Sequence, residues 1–314
     1  MLRIVFLGTG RLAQPTFAAL CDSAHQVVGL VTQPDRIGRG HHQHVNPLKE
    51  LAQSRGIPVF QPSSIKTPES LALLNSWRAD LFVVAAYGQI LSKAVLETPR
   101  LGCVNVHASL LPKYRGATPI HAAVLNGDAE TGVTIISLEP QLDAGPMLGV
   151  VRTPIGPKET TGELEVRLAD LAVPLTLQVI DQLEAGTVQA LIQDAAAVSK
   201  VGKLEKQDGR IPWGKSAIEV ERHIRAMQPW PGSFTQLIQP NRPPSRIQIL
   251  SADLVESISA GTPGEVIDAA PDAILVRCGS GAVAVRQLQP DGKRPMSAAE
   301  FLRGRKLTSA DRFE

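Results

Sequence analysis

The stretch from Met1 to Cys21, MLRIVFLGTGRLAQPTFAALC, joins three local patterns in a row. Leu2 to Leu7 is a short apolar run with the length of a buried strand. Gly8-Thr-Gly10 supplies a turn, and Gln14 to Cys21 has helical spacing with Pro15 near its first turn. A strand that leads through a tight turn into a helix is the first part of a βα unit. The stretch therefore predicts a parallel sheet covered by helices.

The two glycines of this turn have a second possible use, which is to hold a phosphate at the N-terminus of the helix. The dinucleotide-binding fingerprint needs a third glycine, whereas the sequence here runs GTGRLAQP. In addition, no acidic residue closes the second predicted strand, QVVGLVTQ, where such sites bind a ribose. A tight strand-to-helix turn is the favoured interpretation.

The same alternation of apolar runs and helical segments continues through the first half of the chain. Further strands are predicted in QVVGLVTQ, IPVFQP, ADLFVVAAYGQIL, LGCVNVHAS and TGVTIISLE, and further helices in NPLKELAQSRG, Pro68–Trp77 and ATPIHAAVLNGD. Leucines and valines spaced by three and four residues predict a long amphipathic helix from Thr161 to Ala185. We expect an α/β domain with a Rossmann-like parallel sheet over residues 1–194.

The character of the sequence changes after this helix. Residues 195–208 are small and charged without periodicity, which is typical of a domain linker. A helix predicted from Ser216 to Met227 is followed by β-rich segments bounded by glycine and proline, and Ser297 and Glu300 have the capping-box spacing of a last short helix. Residues 209–314 therefore predict a small β-barrel or a sandwich.

Composition limits the class of protein. With 314 residues, 43% hydrophobic and 20% charged, the chain has the length and core for about two globular domains. No apolar run reaches the roughly 20 residues of a membrane span, and the N-terminus lacks the pattern of a signal peptide. The three cysteines are too far apart for a disulfide framework or a metal-ligand motif. We expect a cytoplasmic protein without a bound metal.

Candidate catalytic residues lie in NVHASLLPKYRG, residues 105–116. On a strand, Asn105 and His107 share one face, and the strand ends where parallel sheets form ligand crevices. Asp143, at the end of the next strand, is expected at the same edge. A lone histidine there is often structural, but an Asn, a His and an Asp together suit an acyl transfer in which an oxyanion is stabilised. No Ser or Cys nucleophile is indicated, so transfer to an external nucleophile is expected.

Several motifs match a known family. NVHASLLPKYRG, ATPIHAAVLNGDAETGVTI and LDAGPML resemble the folate-dependent formyltransferases. VTQPDR, VVAAYGQIL, VLETPRLGCVNVH, GRIPW and IRAMQPWPGSF narrow the resemblance to the members that formylate methionyl-tRNA. The resemblance covers nearly the whole chain. It implies 10-formyltetrahydrofolate as the formyl donor and the α-amine of methionyl initiator tRNA as the acceptor.

The resemblance also implies site residues. The catalytic Asn, His and Asp fall on Asn105, His107 and Asp143, where we expect Asp143 to keep His107 cationic as an oxyanion donor. Folate-binding positions fall on Gln89, Ile90, Leu91, Ser109, Leu110, Leu111, Pro112, Leu138 and Asp143. Contacts to tRNA fall on Arg36, Arg39, Lys113 and Arg115, on His41 and His42, which stand where the family carries lysines, and on the C-terminal barrel, which the resemblance implies is OB-like. Residues 200–314 carry more basic than acidic side chains, which is compatible with an anionic partner and also with an ordinary surface.

Three alternatives are weighed against this assignment. An N-formyltransferase that acts on a nucleotide-linked amino sugar shares the chemistry, but the TQPDRIGRG insertion argues against it. A non-catalytic RNA-binding protein would not need Asn105, His107 and Asp143 together. A metal hydrolase using HHQH lacks nearby Cys or Asp ligands. A monomer is expected.

Overall fold

The computed structural model describes residues 1–35, 46–240, 242–255 and 261–314. These residues form two compact units. The first consists of Met1–Pro119, Glu130–Pro154 and Glu165–Val201, and the second of Ile120–Ala129, Ile155–Leu164 and Gly202–Glu314. The domain boundaries expected at residues 194 and 208 remain predictions. None of the described helices combines the length and the apolar character that crossing a membrane requires.

The first unit is built around a seven-stranded sheet. Its strands, with those of a separate two-stranded pair, are β1 (Arg3–Gly8), β2 (Gln26–Val31), β3 (Val59–Phe60), β4 (Leu81–Ala85), β5 (Cys103–His107), β6 (Arg115–Gly116), β7 (Glu130–Ser137), β8 (Met147–Pro154) and β9 (Lys200–Val201). The helices up to this point of the chain are α1 (Gly10–Cys21), α2 (Pro47–Ser54), α3 (Pro68–Ser76), α4 (Lys93–Leu96), α5 (Pro119–Asn126) and α6 (Thr161–Ala185). The α/β class and the bounds of the long helix α6 are confirmed.

The strand order of the sheet is β3-β2-β1-β4-β5-β7-β8. The strands from β3 to β5 are parallel, whereas β7 is antiparallel to β5 and β8 is antiparallel to β7. The middle strands are buried on both faces, which explains why they are continuous apolar runs. The sequence interpretation missed β8 because its residues are partly exposed and lack a clean alternation.

The glycine turn after β1 is required by close packing. A Cβ atom on Gly8 would lie 2.5 Å from a ring carbon of Phe6 and 2.9 Å from the carbonyl oxygen of Ala85. Gly10 has a φ of +75°, a conformation that glycine adopts without steric cost. Both glycines are therefore explained by the turn itself, independently of any ligand.

The second unit contains a barrel-like antiparallel sheet. Its strands and helices are α7 (Ala217–Ala226), β10 (Phe234–Gln239), β11 (Arg242–Val255), β12 (Val266–Ala270), β13 (Ala273–Arg277), β14 (Ala282–Pro290), β15 (Met296–Ser297), α8 (Ala298–Gly304) and β16 (Arg312–Phe313). The sheet order is β12-β13-β14-β11-β10-β16, and an antiparallel bridge between Glu265 and Arg312 joins the two ends. The predicted small barrel and the capping box of Ser297 with Glu300 are confirmed.

Candidate active site

Asn105 and His107 lie on one face of β5, as the strand period requires. The expectation that Asp143 reaches this edge because the strand before it ends there is wrong, however. Because β7 runs antiparallel to β5, it ends beside Val104, at the amino end of β5. The loop between β7 and β8 instead returns over the sheet and brings Asp143 to both side chains. The expected cluster is present, although its third member arrives by a different route.

The imidazole of His107 is buried between two acceptors. Its Nε2 lies 3.0 Å from the carbonyl oxygen of Tyr114, which accepts the ring proton, and its Nδ1 lies 3.7 Å from Asp143 Oδ2. Burial lowers the pKa of His107, and this effect outweighs the opposing attraction of Asp143 and the hydrogen bond to Tyr114. The expectation that Asp143 keeps His107 cationic is therefore wrong for the free protein. The neutral ring carries its proton on Nε2 and presents a lone pair at Nδ1.

The carboxyl group of Asp143 is fixed by two groups of the same unit. The Gly116 N–H donates to its Oδ2 at 2.8 Å, and the Asn105 amide donates to its Oδ1 at a longer 3.4 Å. Asp143 has a φ of +49°, in the left-handed region that a non-glycine residue occupies only when its surroundings hold it there. The side chain is buried, so this geometry presents an ionisable carboxyl group to His107 in a site with little water.

The loop from residue 108 to residue 116 supports His107 from the other side. Ser109 Oγ donates to the Lys113 carbonyl at 2.7 Å, and Thr134 Oγ1 donates to the Ser109 carbonyl at 2.7 Å. The Tyr114 N–H donates to Ser199 Oγ at 2.8 Å. These bonds fix the Tyr114 carbonyl, and that carbonyl selects the tautomer of the histidine.

The structure brings together part of the expected folate-binding set. Leu91 and Leu138 pack against one core cluster, and Leu138 also packs against a second cluster that contains Leu111. The Gln89 side chain is turned elsewhere, because it accepts from the Ile65 N–H and donates to the Pro62 carbonyl. Ile90 is 69% exposed. Of the remaining expected positions, Ser109 is fully buried, and Leu110 and Pro112 are half-buried.

The expected tRNA contacts are only partly described. Arg36, Arg39, His41 and His42 lie outside the described residues. Lys113 is exposed beside the site. Arg115 donates through Nε and Nη2 to Gln193 Oε1 at 3.0 and 2.8 Å, so most of its guanidinium faces the protein.

Sequence reasoning missed two residues that support the site, Gln193 and Ser199. Gln193 is buried and bonds the backbone around Asp143, and Ser199 holds Tyr114. Both lie in LIQDAAAVSK, which has no local motif and borders the predicted linker. Their role depends on contacts that are distant in sequence, so no local signal marks them.

Among the described residues, one group has the donor types of a metal site: His25, Asp181 and Glu184. His25 Nδ1 accepts from the Leu2 N–H, so the proton of the neutral ring is on Nε2, which faces Asp181 at 3.1 Å. Glu184 pairs with the ammonium group of Met1. The three side chains are satisfied by the protein, so the group gives no reason to assign a metal.

Two family models match the chain. A model described as formyl transferase covers residues 2–180, and a model described as formyl transferase, C-terminal domain, covers residues 203–306. The second model begins just after the first compact unit ends, at Val201. Both parts of the chain are therefore similar to known formyl transferase domains.

Individual proteins give the same result. The chain is 43% identical over 306 residues to a methionyl-tRNA formyltransferase of Pseudomonas fluorescens, covering 97% of this chain and 94% of that protein. It is 44% identical over 307 residues to a methionyl-tRNA formyltransferase of Methylococcus capsulatus, covering 98% of each. A solved N-formyltransferase from Helicobacter canadensis, in complex with folinic acid and dTDP-3-aminofucose, has a TM-score of 0.64 at 17% identity and covers 92% of this chain and all of that one. At 17% identity this likeness shows a shared fold and nothing about the substrate.

Proposed function

The chain belongs to the formyl transferase family and is a formyl-group transferase, and from this premise we propose that it formylates the α-amine of methionyl initiator tRNA with 10-formyltetrahydrofolate as donor. One observation carries the proposal: the 43% identity to a methionyl-tRNA formyltransferase covers 97% of this chain, and so includes the C-terminal domain as well as the first one. The buried cluster of Asn105, His107 and Asp143 supplies the chemistry.

In this reaction the amine nitrogen forms a bond to the formyl carbon, and the bond from that carbon to N10 of the folate breaks. The amine must lose a proton and N10 must gain one. Neutral His107 is suited to both tasks, because its Nδ1 lone pair accepts the proton of the amine and returns it as N10 leaves. The lowered pKa of His107 keeps the ring in the accepting form at neutral pH.

The oxyanion that develops on the formyl oxygen needs a donor already in place. The Asn105 amide has two N–H groups, and only one is directed to Asp143 Oδ1. We assign the other to the oxyanion. Asp143 lies 3.7 Å from His107 Nδ1 and stabilises the imidazolium once the ring has accepted the proton. Charge separation thus forms only during the reaction, in a buried site where it is stabilised most strongly.

The substrates are proposed to bind on either side of this cluster. We propose that the apolar side chains of Leu91, Leu111 and Leu138 contact the flat pterin of the folate. For the tRNA we propose contacts from five of the six residues that the sequence analysis named, Arg36, Arg39, His41, His42 and Lys113, and from the C-terminal unit. A monomer that acts in the cytoplasm remains our expectation.

The second candidate acceptor is a nucleotide-linked amino sugar. It is supported by the likeness to the Helicobacter canadensis enzyme, which rests on fold at 17% identity. The identity of 43–44% to methionyl-tRNA formyltransferases is the stronger observation.

The test is a direct comparison of acceptors. Purified protein and 10-formyltetrahydrofolate are incubated with charged initiator tRNA, with the same tRNA uncharged, and with a dTDP-linked amino sugar. We expect the formyl group on charged tRNA alone. Transfer to the sugar with none to the tRNA would replace the proposed acceptor by the second candidate.

A further inference from the structure

The side chain of Gln193 holds the backbone of the loop that presents Asp143. Its amide nitrogen donates to the carbonyl oxygens of Asp143 and of Gly145, each at 2.8 Å. Gln193 is 7% exposed, so these bonds are shielded from water. A single side chain therefore bridges two carbonyls that flank the bend of the loop.

Arg115 fixes the direction of the Gln193 amide. A guanidinium can only donate, and its Nε and Nη2 both lie within 3.0 Å of Gln193 Oε1. The oxygen of the amide must then face Arg115, and the NH2 group must face the two carbonyls. Arg115 is adjacent to Gly116, whose N–H donates to Asp143 Oδ2. Asp143 is thus held at two points: Gly116 binds its carboxylate, and Gln193 binds its backbone carbonyl.

The segment that follows Gln193 holds the opposite side of the site. The Tyr114 N–H donates to Ser199 Oγ, and the Arg115 N–H donates to the Ser199 carbonyl at 2.9 Å. β6 and β9 continue this pairing in parallel. Residues 193–201 therefore contact the loop that presents Asp143 and the loop whose Tyr114 carbonyl orients His107.

We propose that Gln193 is a positioning residue of the formyl transfer site, which sets the distance between Asp143 and His107 by holding the Asp143 and Gly145 carbonyls, with Arg115 orienting its amide. This inference rests on the proposed function for its kinetic consequence. It gives Arg115 a role inside the protein that is distinct from a contact to tRNA. Loss of the two donors releases a loop whose Asp143 has a positive φ, so the carboxylate moves away from the ring.

The experiment uses three variants of the full chain. Gln193→Leu removes the amide at nearly constant size, and Gln193→Glu keeps the shape and the pairing with Arg115 but cannot donate to the carbonyls. Ile180→Ala is the control, because Ile180 is fully buried in α6 of the same unit and takes no part in the site. For each variant we measure Tm, kcat, KM for 10-formyltetrahydrofolate, and the pH titration of the His107 ring by NMR.

We expect both Gln193 variants to lose about 10- to 100-fold in kcat, the effect of a small displacement of reacting groups, with KM nearly unchanged. The His107 titration midpoint should move in both, and Ile180→Ala should change only Tm. The proposal is overturned if the His107 ring titrates in both Gln193 variants as it does in the wild type. It is also overturned if Ile180→Ala, at equal Tm, loses as much kcat as the Gln193 variants. If the wild type transfers no formyl group, the proposed function fails, and the titration still decides whether Gln193 positions Asp143.

Discussion

At the scale of single residues, the chemistry depends on which of two opposing effects controls His107. Burial favours the neutral ring, and the Asp143 carboxyl 3.7 Å away favours the charged one. Burial prevails in the free protein, so the pKa of His107 lies below its ordinary value of about 6.5. The carboxyl group then has its main effect on the protonated ring that the reaction creates.

This balance predicts the effect of Asp143→Asn on the histidine. The substitution removes the attraction that raises the pKa of His107 and leaves the burial that lowers it. We expect the NMR titration midpoint of the His107 ring to lie below about 6.5 in the wild type and to fall further in the variant. A midpoint that rises in Asp143→Asn would contradict the assigned balance. Asp170→Asn, an exposed change on α6, is the control.

The site residues could be predicted from sequence to the extent that they lie in contiguous motifs. Asn105 and His107 share one strand, so the period of two placed them correctly. The protonation of His107 could not be predicted, because it depends on burial by residues distant in sequence. Gln193 was not found for the same reason, since its contact with Asp143 spans 50 residues.

At the scale of elements, patterns identified most helices and strands but not the direction of β7. Apolar runs such as β4 mark a buried strand, and capping boxes mark helix starts such as Ser297. The direction of a strand in a sheet depends on which neighbour it pairs with. An apolar run such as TGVTIISLE predicts a buried strand without indicating whether it is parallel or antiparallel to that neighbour. The antiparallel pairing of β7 with β5 is what places the loop of Asp143 over the face of the sheet.

Gly145 is predicted to be essential for closing this loop. A Cβ atom at Gly145 would lie 1.8 Å from the carbonyl oxygen of Ser137, so the loop cannot keep its path with any side chain there. We expect Gly145→Ala to lower kcat by at least about 10-fold, as misplaced catalytic groups do. Gly202→Ala is the matched control, because a Cβ at Gly202 meets nothing within 4 Å. Wild-type turnover in Gly145→Ala would show that the loop is not constrained as described.

At the scale of the whole molecule, the division of the chain is less linear than its sequence suggests. Ile120–Ala129 and Ile155–Leu164 belong to the second compact unit, although both lie within the first 194 residues. In that unit, Thr161 Oγ1 donates to the Ala226 carbonyl and Arg222 donates to the Asn126 carbonyl. A change in composition predicts a linker at 195–208, but composition contains no information on such excursions.

The stability of the protein is predicted to fall in mild acid. Burial lowers the pKa of His107, His121 and His223, so below about pH 6.5 the unfolded chain binds more protons than the folded one. Their contribution to the free energy of unfolding is complete above that pH and is lost as the pH falls through the lowered pKa values. We expect Tm to decrease as the pH falls from about 6.5 to about 5, and to decrease less in His223→Leu. A Tm that rises over this range would contradict these pKa directions.

The central claim is that the buried cluster of Asn105, His107 and Asp143 moves a formyl group onto methionyl-tRNA. The most direct measurement is single-turnover transfer from 10-formyltetrahydrofolate to charged initiator tRNA, by the wild type and by His107→Ala at matched saturation. The account predicts transfer by the wild type and a rate at least about 100-fold lower in a folded His107→Ala variant, the size of effect seen when a key catalytic group is removed. Equal rates in the two proteins, or no formylated tRNA with the wild type, would contradict it.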